Sequence, residues 1–434
     1  MTQNLFFLME RAIMKDLPSI NHYLSYGVIR LITLPFSWLP YPLLHRMGAL
    51  FGLIAYHMLP HFRKRACSNL ALASALQLQE KEIIRLAKES FQSLMITCLE
   101  YAKLSREKDL HKICQVENTH SASEILKSGK GVIFFCGHQA NWELFFLEGT
   151  SRMPGVAIGR PLKNRPLYSW ILSIRQKFGG KIIAPKNALR EGLRALKSGS
   201  FLGIVGDQAM PQSGFRSLFL GKEAWTSPIA ALLSYRTGSP IIVPTMQRIE
   251  GKYRIHYSDP IWPCIHAPLQ EEIERLMGKT LALLEESITK TPGQWLWQHN
   301  RWKQQTLDKI PSRYRQEAIC IILPEETKLF DEISPHLGTF REIYPLEFLT
   351  FLVPAQFCSA ALLPEEEKIP YTSLSEILVR DFRFKLIFNL TEFKEVETHF
   401  KRLSAFTVLN WSDLHMQTGS DFSTLLKKTL RHAS

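Results

Sequence analysis

Residues 132–143 read Val132-Ile133-Phe134-Phe135-Cys136-Gly137-His138-Gln139-Ala140-Asn141-Trp142-Glu143, and the fold turns on them. Five apolar residues in a row predict a fully buried strand of the kind parallel sheets use, and Gly137 ends it. Asn141 is a favoured N-cap residue type, so a helix is predicted over Asn141 to Glu148, with Glu143 in its first turn and His138 in the loop before it. One continuous helix would not serve the same pair. Five positions at about 100° each would set His138 and Glu143 about 140° apart.

The same grammar continues outward. Lys181–Ala184 reads as a strand, Asn187–Lys197 as a helix, Phe201–Val205 as a strand ending at Gly206-Asp207-Gln208, Pro228–Thr237 as a helix and Ile241–Val243 as a strand. This predicts an α/β fold with a mixed, largely parallel sheet flanked by helices. Polar residues at strand ends fall at the carboxyl edge, where open α/β sheets keep their sites. Upstream, Gln79–Leu104 is polar and helical in pattern. A small C-terminal α/β extension is predicted from strand-like runs at Ala318–Leu323, Phe348–Val353, Phe384–Leu390 and Ala405–Leu409, after a linker near Asp308–Arg315. The expected domains are therefore 1–66, an N-terminal membrane-binding helical segment; 67–307, the main domain; and 316–434, the extension. No dinucleotide or phosphate-loop glycine motif, H-E-x-x-H or G-x-S-x-G is present.

The stretch from 28 to 60 is apolar but interrupted. Leu31–Leu44 contains Pro35, Pro40 and Pro42, and His45-Arg46 separates it from Met47–Pro60, each uncharged run being 14 residues long. A helix needs about 20 residues to cross the hydrocarbon core. The expectation is a monotopic hairpin or in-plane helix anchored by Arg63-Lys64-Arg65; a tilted single span using Arg46 and a buried helix pair are the alternatives.

Charge separates the two ends of the chain. Residues 1–303 hold 38 Lys+Arg against 22 Asp+Glu, and the remainder holds 15 against 18. Residues 151–200 alone carry 11 basic side chains against the single acid Glu191, a field that draws anionic lipid, phosphorylated sugar or an acidic protein. Nucleic acid is disfavoured, since no aromatic or Gly-rich binding motif interleaves the charge. The seven cysteines are scattered without C-x-x-C pairs, which fits a reducing compartment and gives no metal motif. No cleavable secretory signal is read at the start, where Glu10, Arg11, Lys15 and Asp16 interrupt the first residues.

His138 and Glu143 have the chemistry that acyl transfer to a hydroxyl requires. Imidazole titrates near neutrality and takes the alcohol proton as the carbonyl is attacked. A carboxylate at a positive helix end stays ionised and orients the ring, with the substrate's own hydroxyl as nucleophile. The spacing alone also fits a structural pair.

Several stretches in order give the reading more weight. His138-Gln-Ala-Asn141-Trp142-Glu143, Gly159-Arg160-Pro161-Leu162-Lys163-Asn164, Gly206-Asp207-Gln208 with Gly214-Phe215, Thr226-Ser-Pro to Pro240, and Pro292 to Lys303 resemble the boxes of the lipid A late acyltransferases. These are the lauroyl and myristoyl transferases of Gram-negative bacteria, within the wider H-x4-D/E glycerolipid acyltransferase group. The resemblance covers roughly residues 27–304. It implies transfer of an acyl chain from acyl-acyl carrier protein to a hydroxyl of a hydroxyacyl chain on an anionic lipid A precursor. It places that reaction on the cytoplasmic face of the inner membrane; no cofactor is expected, and no metal either, since no ligand cluster has suitable spacing. By the same resemblance His138 and Glu143 are catalytic, and Arg160, Lys163, Asn141, Asp207 and Gln208 bind substrate. Asn300 stands where the family tends to carry a basic residue, and the tail after about residue 310 lies outside the common pattern. The alternatives are an acyltransferase for a glycerolipid or other membrane glycolipid and, from another class, a basic membrane-associated binding protein without catalysis.

Overall fold

The computed structural model describes residues 19–305, 310–359, 366–414 and 421–432. The expected linker near Asp308–Arg315 lies partly outside them, and Ser312–Tyr314 forms a 3-10 turn. The apolar N-terminal stretch breaks at its prolines. Helices α1 (Ile20–Thr33), α2 (Tyr41–Met58) and α3 (Pro60–Leu72) are interrupted at Pro35, Pro40 and Pro60, because proline lacks the N–H that a helix interior needs and fits only its first turn. No helix among the described residues is long and apolar enough to cross a membrane.

The helices continue with α4 (Glu80–Leu104), α5 (His120–Lys127), α6 (Glu143–Arg152), α7 (Arg165–Arg175), α8 (Ala188–Lys197), α9 (Ile229–Thr237) and α10 (Leu269–Lys290). The strands up to residue 257 are β1 (Cys114–Glu117), β2 (Val132–Cys136), β3 (Gly155–Ile158), β4 (Lys181–Ile183), β5 (Phe201–Val205), β6 (Phe215–Phe219), β7 (Lys222–Thr226), β8 (Ile241–Ile242), β9 (Pro244–Ile249) and β10 (Lys252–Tyr257). The remaining strands are β11 (Ala318–Ile322), β12 (Phe348–Pro354), β13 (Glu367–Tyr371), β14 (Leu386–Asn389) and β15 (Thr407–Asn410).

Two compact units result, and neither is contiguous. The first joins the chain through Gly52 with Gln92–Gly206 and Ile229–Gln294; the second joins Leu53–Phe91, Asp207–Pro228 and the chain from Trp295 onward. This division departs from the boundaries expected at 66/67 and 307/316. The physical reason is a set of polar ties across large sequence distances: Lys64 Nζ donates to Ala405 O at 2.8 Å, Ser68 Oγ to Arg383 O at 2.7 Å and Asn69 Nδ2 to Trp297 O at 2.8 Å. Segments on both sides of the expected linker thus share one unit.

In the first unit, five parallel strands run in the order β4-β3-β5-β2-β8. All five residues of β2 are buried, as a strand covered on both faces requires. Phe134 meets Phe201 at a tilt and Tyr257 edge to face, with ring centroids 5.0 and 5.2 Å away; each such buried aromatic stabilises the core by about 2–3 kcal/mol. The ladder between β2 and β5 extends one step further, Gly206 N donating to Cys136 O at 2.9 Å. A Cβ on Gly206 would lie 2.1 Å from the Phe135 ring, so only glycine lets the chain pass there. A smaller sheet, β1-β10-β9, pairs β10 antiparallel with β9 and parallel with β1.

In the second unit, five parallel strands run β13-β12-β11-β14-β15, beside a β6-β7 hairpin. Phe340, Phe351 and Phe388 fill its core. The strand runs anticipated from sequence match β2, β4, β5, β8, β11, β12, β14 and β15 closely. The strands not anticipated are short or polar. β13 reads Glu-Lys-Ile-Pro-Tyr, a charged, proline-bearing edge strand that discourages further pairing.

Candidate active site

The loop between β2 and α6 is nearly sealed. From Gly131 to Thr150 every residue is buried except His138 and Trp142, which are half-buried. Their rings meet edge to face, centroids 4.9 Å apart at 64°. Helix α6 begins at Glu143, with Trp142 at the N-cap and no side-chain capping bond. The expected Asn141 cap is therefore not formed. Its backbone carbonyl accepts from Leu144 N at 3.0 Å, while its side-chain Nδ2 donates to Glu100 Oε2 at 2.7 Å. Asn141 is 1% exposed, and its amide ties the loop to Glu100.

Glu143 is the first residue of α6 and is 6% exposed. Arg175 grips it with two parallel hydrogen bonds, Nη2 to Oε1 at 2.5 Å and Nε to Oε2 at 2.7 Å. This fork geometry fixes the carboxylate plane, which a lysine point charge would not do. Burial alone would lower the Arg175 pKa, but the Glu143 charge and hydrogen bonds overcome it and raise the guanidinium above its ordinary value. Arg175 sits at the end of α7, whose start is capped by Asn164 Oδ1 accepting from Leu167 N at 3.0 Å. Asn164 Nδ2 also reaches α1, donating to Ser25 Oγ at 2.8 Å, and Arg30 lies 4.4 Å over the Trp170 ring. The side chain that holds Glu143 is thus carried on a helix braced by the N-terminal apolar segment.

Arg160 and Lys163 follow β3 and are both exposed. The basic segment around them is less uniform than its composition suggested. Arg175 is spent on Glu143, Arg152 pairs with buried Glu148, and Lys177 donates to the carbonyls of Leu104 and Ser105. In the second unit, Asp207 is fully buried and its Oδ2 accepts from Trp295 Nε1 at 2.7 Å. That bond ties Asp207 to the buried tryptophan segment. Gln208 next to it is exposed. Among the described residues, no group of three or more His, Cys, Asp or Glu side chains is arranged to hold a metal ion.

Sequence reasoning did not find Arg175 as the partner of Glu143, nor Glu100 as the partner of Asn141. The first lies 32 positions away and the second 41, beyond the reach of any local pattern.

Comparison with known proteins decides the family. Residues 14–304 match the family described as bacterial lipid A biosynthesis acyltransferase. The chain belongs to that family. The lipid A biosynthesis lauroyltransferase of Escherichia coli (strain K12) is 24% identical over 296 residues, covering 67% of this chain and 94% of the relative. The lipid A biosynthesis palmitoleoyltransferase of the same organism is 26% identical over 271 residues, 61% of this chain and 86% of the relative. A lipid A biosynthesis acyltransferase of Haemophilus influenzae is 24% identical over 286 residues, 64% and 89%. The matched span of this lipid A acyltransferase includes His138, Glu143 and Arg175 and stops before β11.

Proposed function

We propose that the protein moves a fatty acyl chain from acyl-acyl carrier protein to a hydroxyl of a hydroxyacyl chain on a lipid A precursor, with His138 as general base and Glu143 orienting it. One observation carries the reading: in a buried run of twenty residues, the chain opens only at His138 and its aromatic neighbour Trp142. His138 takes the hydroxyl proton as the oxygen attacks the thioester carbonyl. A C–O bond forms, the C–S bond breaks, and the proton passes from His138 to the departing thiol. Glu143, fixed in orientation by the two Arg175 hydrogen bonds, stabilises the imidazolium between those events. Exposed Arg160 and Lys163 offer charge to the acidic carrier or to the phosphates of the acceptor.

The exposed face of α1 supports attachment at a membrane surface, which the reading puts on the cytoplasmic side of the inner membrane. Ile20, Leu24, Val28 and Leu31 recur at helical spacing with 78, 62, 55 and 73% exposure, and α1 buries no residue. An apolar stripe left in water marks an interaction surface, and an in-plane helix is the form such a stripe takes at a bilayer.

The test is transfer by purified protein from acyl carrier thioester to a hydroxyacyl lipid A precursor. His138→Ala and Glu143→Ala are expected to lose at least about 1,000-fold in rate while remaining folded. Full activity of His138→Ala would overturn the mechanism. Mass spectrometry of lipid A from cells with and without the gene reads the acceptor and the chain length directly.

A further inference from the structure

Glu100 is completely buried on α4, and nothing in the transfer chemistry uses it. Taking a carboxylate out of water is strongly unfavourable unless its charge is paired and its oxygens are satisfied. Here three donors converge on it. Oε1 accepts from His45 Nε2 at 2.5 Å, while Oε2 accepts from Tyr253 OH at 2.5 Å and from Asn141 Nδ2 at 2.7 Å. Arg248 supports the far side, donating to Tyr253 OH at 2.9 Å and to Thr97 Oγ1 at 3.0 Å. Burial works against the charged form, and the bonds from His45 and Tyr253 with the Arg248 charge outweigh it, holding the carboxyl below its usual range.

The Asn141 end of this network lies in the loop that carries His138, and the loop is strained. Ala140 sits at φ +48°, a left-handed conformation that is unfavourable for a non-glycine residue. Its N donates to Gln294 O at 2.7 Å and its O accepts from Thr97 Oγ1 at 2.8 Å. Gln139 is tied to Ser287 and Thr291. Asn141 then closes the loop into α6. A carboxylate can only accept, so it dictates which way the Asn141 amide faces; a neutral glutamine in its place would present a donor to one of the three donors.

We propose that Glu100 is a positioning residue for the acyl transfer, setting the loop geometry of His138 and Glu143 through Asn141, with His45 of α2 as its counter-donor. This rests on the assignment of His138 as base. The experiment is an isosteric polarity swap in the full-length protein: Glu100→Gln, Asn141→Asp and the double variant, with His138→Ala alongside. The donor is an acyl carrier thioester, and thermal midpoints are recorded for each protein. Each single variant is expected to lose about tenfold or more in kcat, with KM for the donor within about twofold. The double, in which the acceptor now stands at 141 and the donor at 100, is expected to recover at least about fivefold over the worse single. Singles with parental kcat, or a double no better than the product of the singles, would overturn the inference while leaving an inactive His138→Ala to support the base assignment. An active His138→Ala would remove that assignment and the positioning role together.

Discussion

The chain builds a five-stranded parallel sheet twice, and the two differ at their carboxyl edges. In the first unit, β2 ends in Gly137 and the half-buried His138, and β3 is followed by exposed Arg160. In the second unit the order β13-β12-β11-β14-β15 reverses direction between β11 and β14, the place where open α/β sheets usually bind ligands. Leu323 and Leu390 follow those two strands, both 0% exposed, and Tyr371 OH donates to Leu323 O at 2.6 Å. At this crossover the second edge presents buried leucines, with the uncharged Asn389, Thr391 and Asn410 bonded to one another nearby, where the first presents titratable side chains. Architecture alone does not make a site; the residues at the strand ends do.

Buried charge follows the same division, and its removal should have opposite readouts in the two units. In the second, Lys385 and Glu317 form an ion pair at 0 and 1% exposure, and Lys385 Nζ also reaches Asn69 Oδ1 at 3.3 Å and Asn300 Oδ1 at 3.2 Å. The amide of Asn300, where the family tends to carry a basic residue, thus meets a cation supplied by the extension. Lys385→Met strands a buried carboxylate and is expected to cost about 3–5 kcal/mol in denaturant unfolding, much of it regained in Lys385→Met/Glu317→Met. The kcat of the folded fraction should hold. A fall in kcat without a fall in stability would place chemistry in the second unit.

Arg175→Ala tests the first unit in the opposite sense. It releases the Glu143 carboxylate from its fork, and kcat is expected to fall about 100-fold. Arg175→Lys should restore charge without planarity and recover only part of that loss. Equal kcat in the parent and Arg175→Ala would show that holding Glu143 is structural.

Both edges show what the sequence could and could not carry. The run Val132–Cys136 followed by Gly137 was readable because five consecutive apolar residues leave few alternatives to a buried strand. Gly155–Ile158 was not, since a four-residue run that opens with glycine after a proline resembles a loop. The loop position of His138 followed from helix geometry, but the inward turn of Asn141 did not. Its cap preference is a weak local tendency, and a buried carboxylate 41 residues away overrides it. The same holds for Asp207, whose strand-end position gives no local sign of the bond its Oδ2 accepts from Trp295, 88 residues on. Periodicity reports which face is buried; it does not report which polar atoms meet there.

Strain gives a smaller contrast. Ala140 holds φ +48° in the His138 loop, where glycine would pay no steric cost. Ala140→Gly is expected to change stability by no more than about 1 kcal/mol, since relief of strain is offset by a freer unfolded chain. Its kcat should drop modestly as the loop gains alternatives. A rise in kcat would mean that the strained conformation is not the productive one.

The smallest effect concerns acid. Glu100 has its carboxyl below the ordinary 4.5 in the folded protein, so the stability it contributes is complete above the unfolded value and is lost as pH falls through the folded one. Glu272, Glu286, Glu367, Glu397 and Asp421 are lowered in the same direction by their own hydrogen bonds and charges, so the acid limb is shared among several groups in both units. Glu100→Gln should therefore lower stability at neutral pH and make its decline below about pH 4.5 slightly shallower, leaving most of the limb in place. Urea unfolding of parent and variant between pH 3 and 7 measures the difference. A variant curve parallel to the parent throughout would mean that Glu100 binds its proton equally in both states, and that the three donors around it hold the loop without holding its charge.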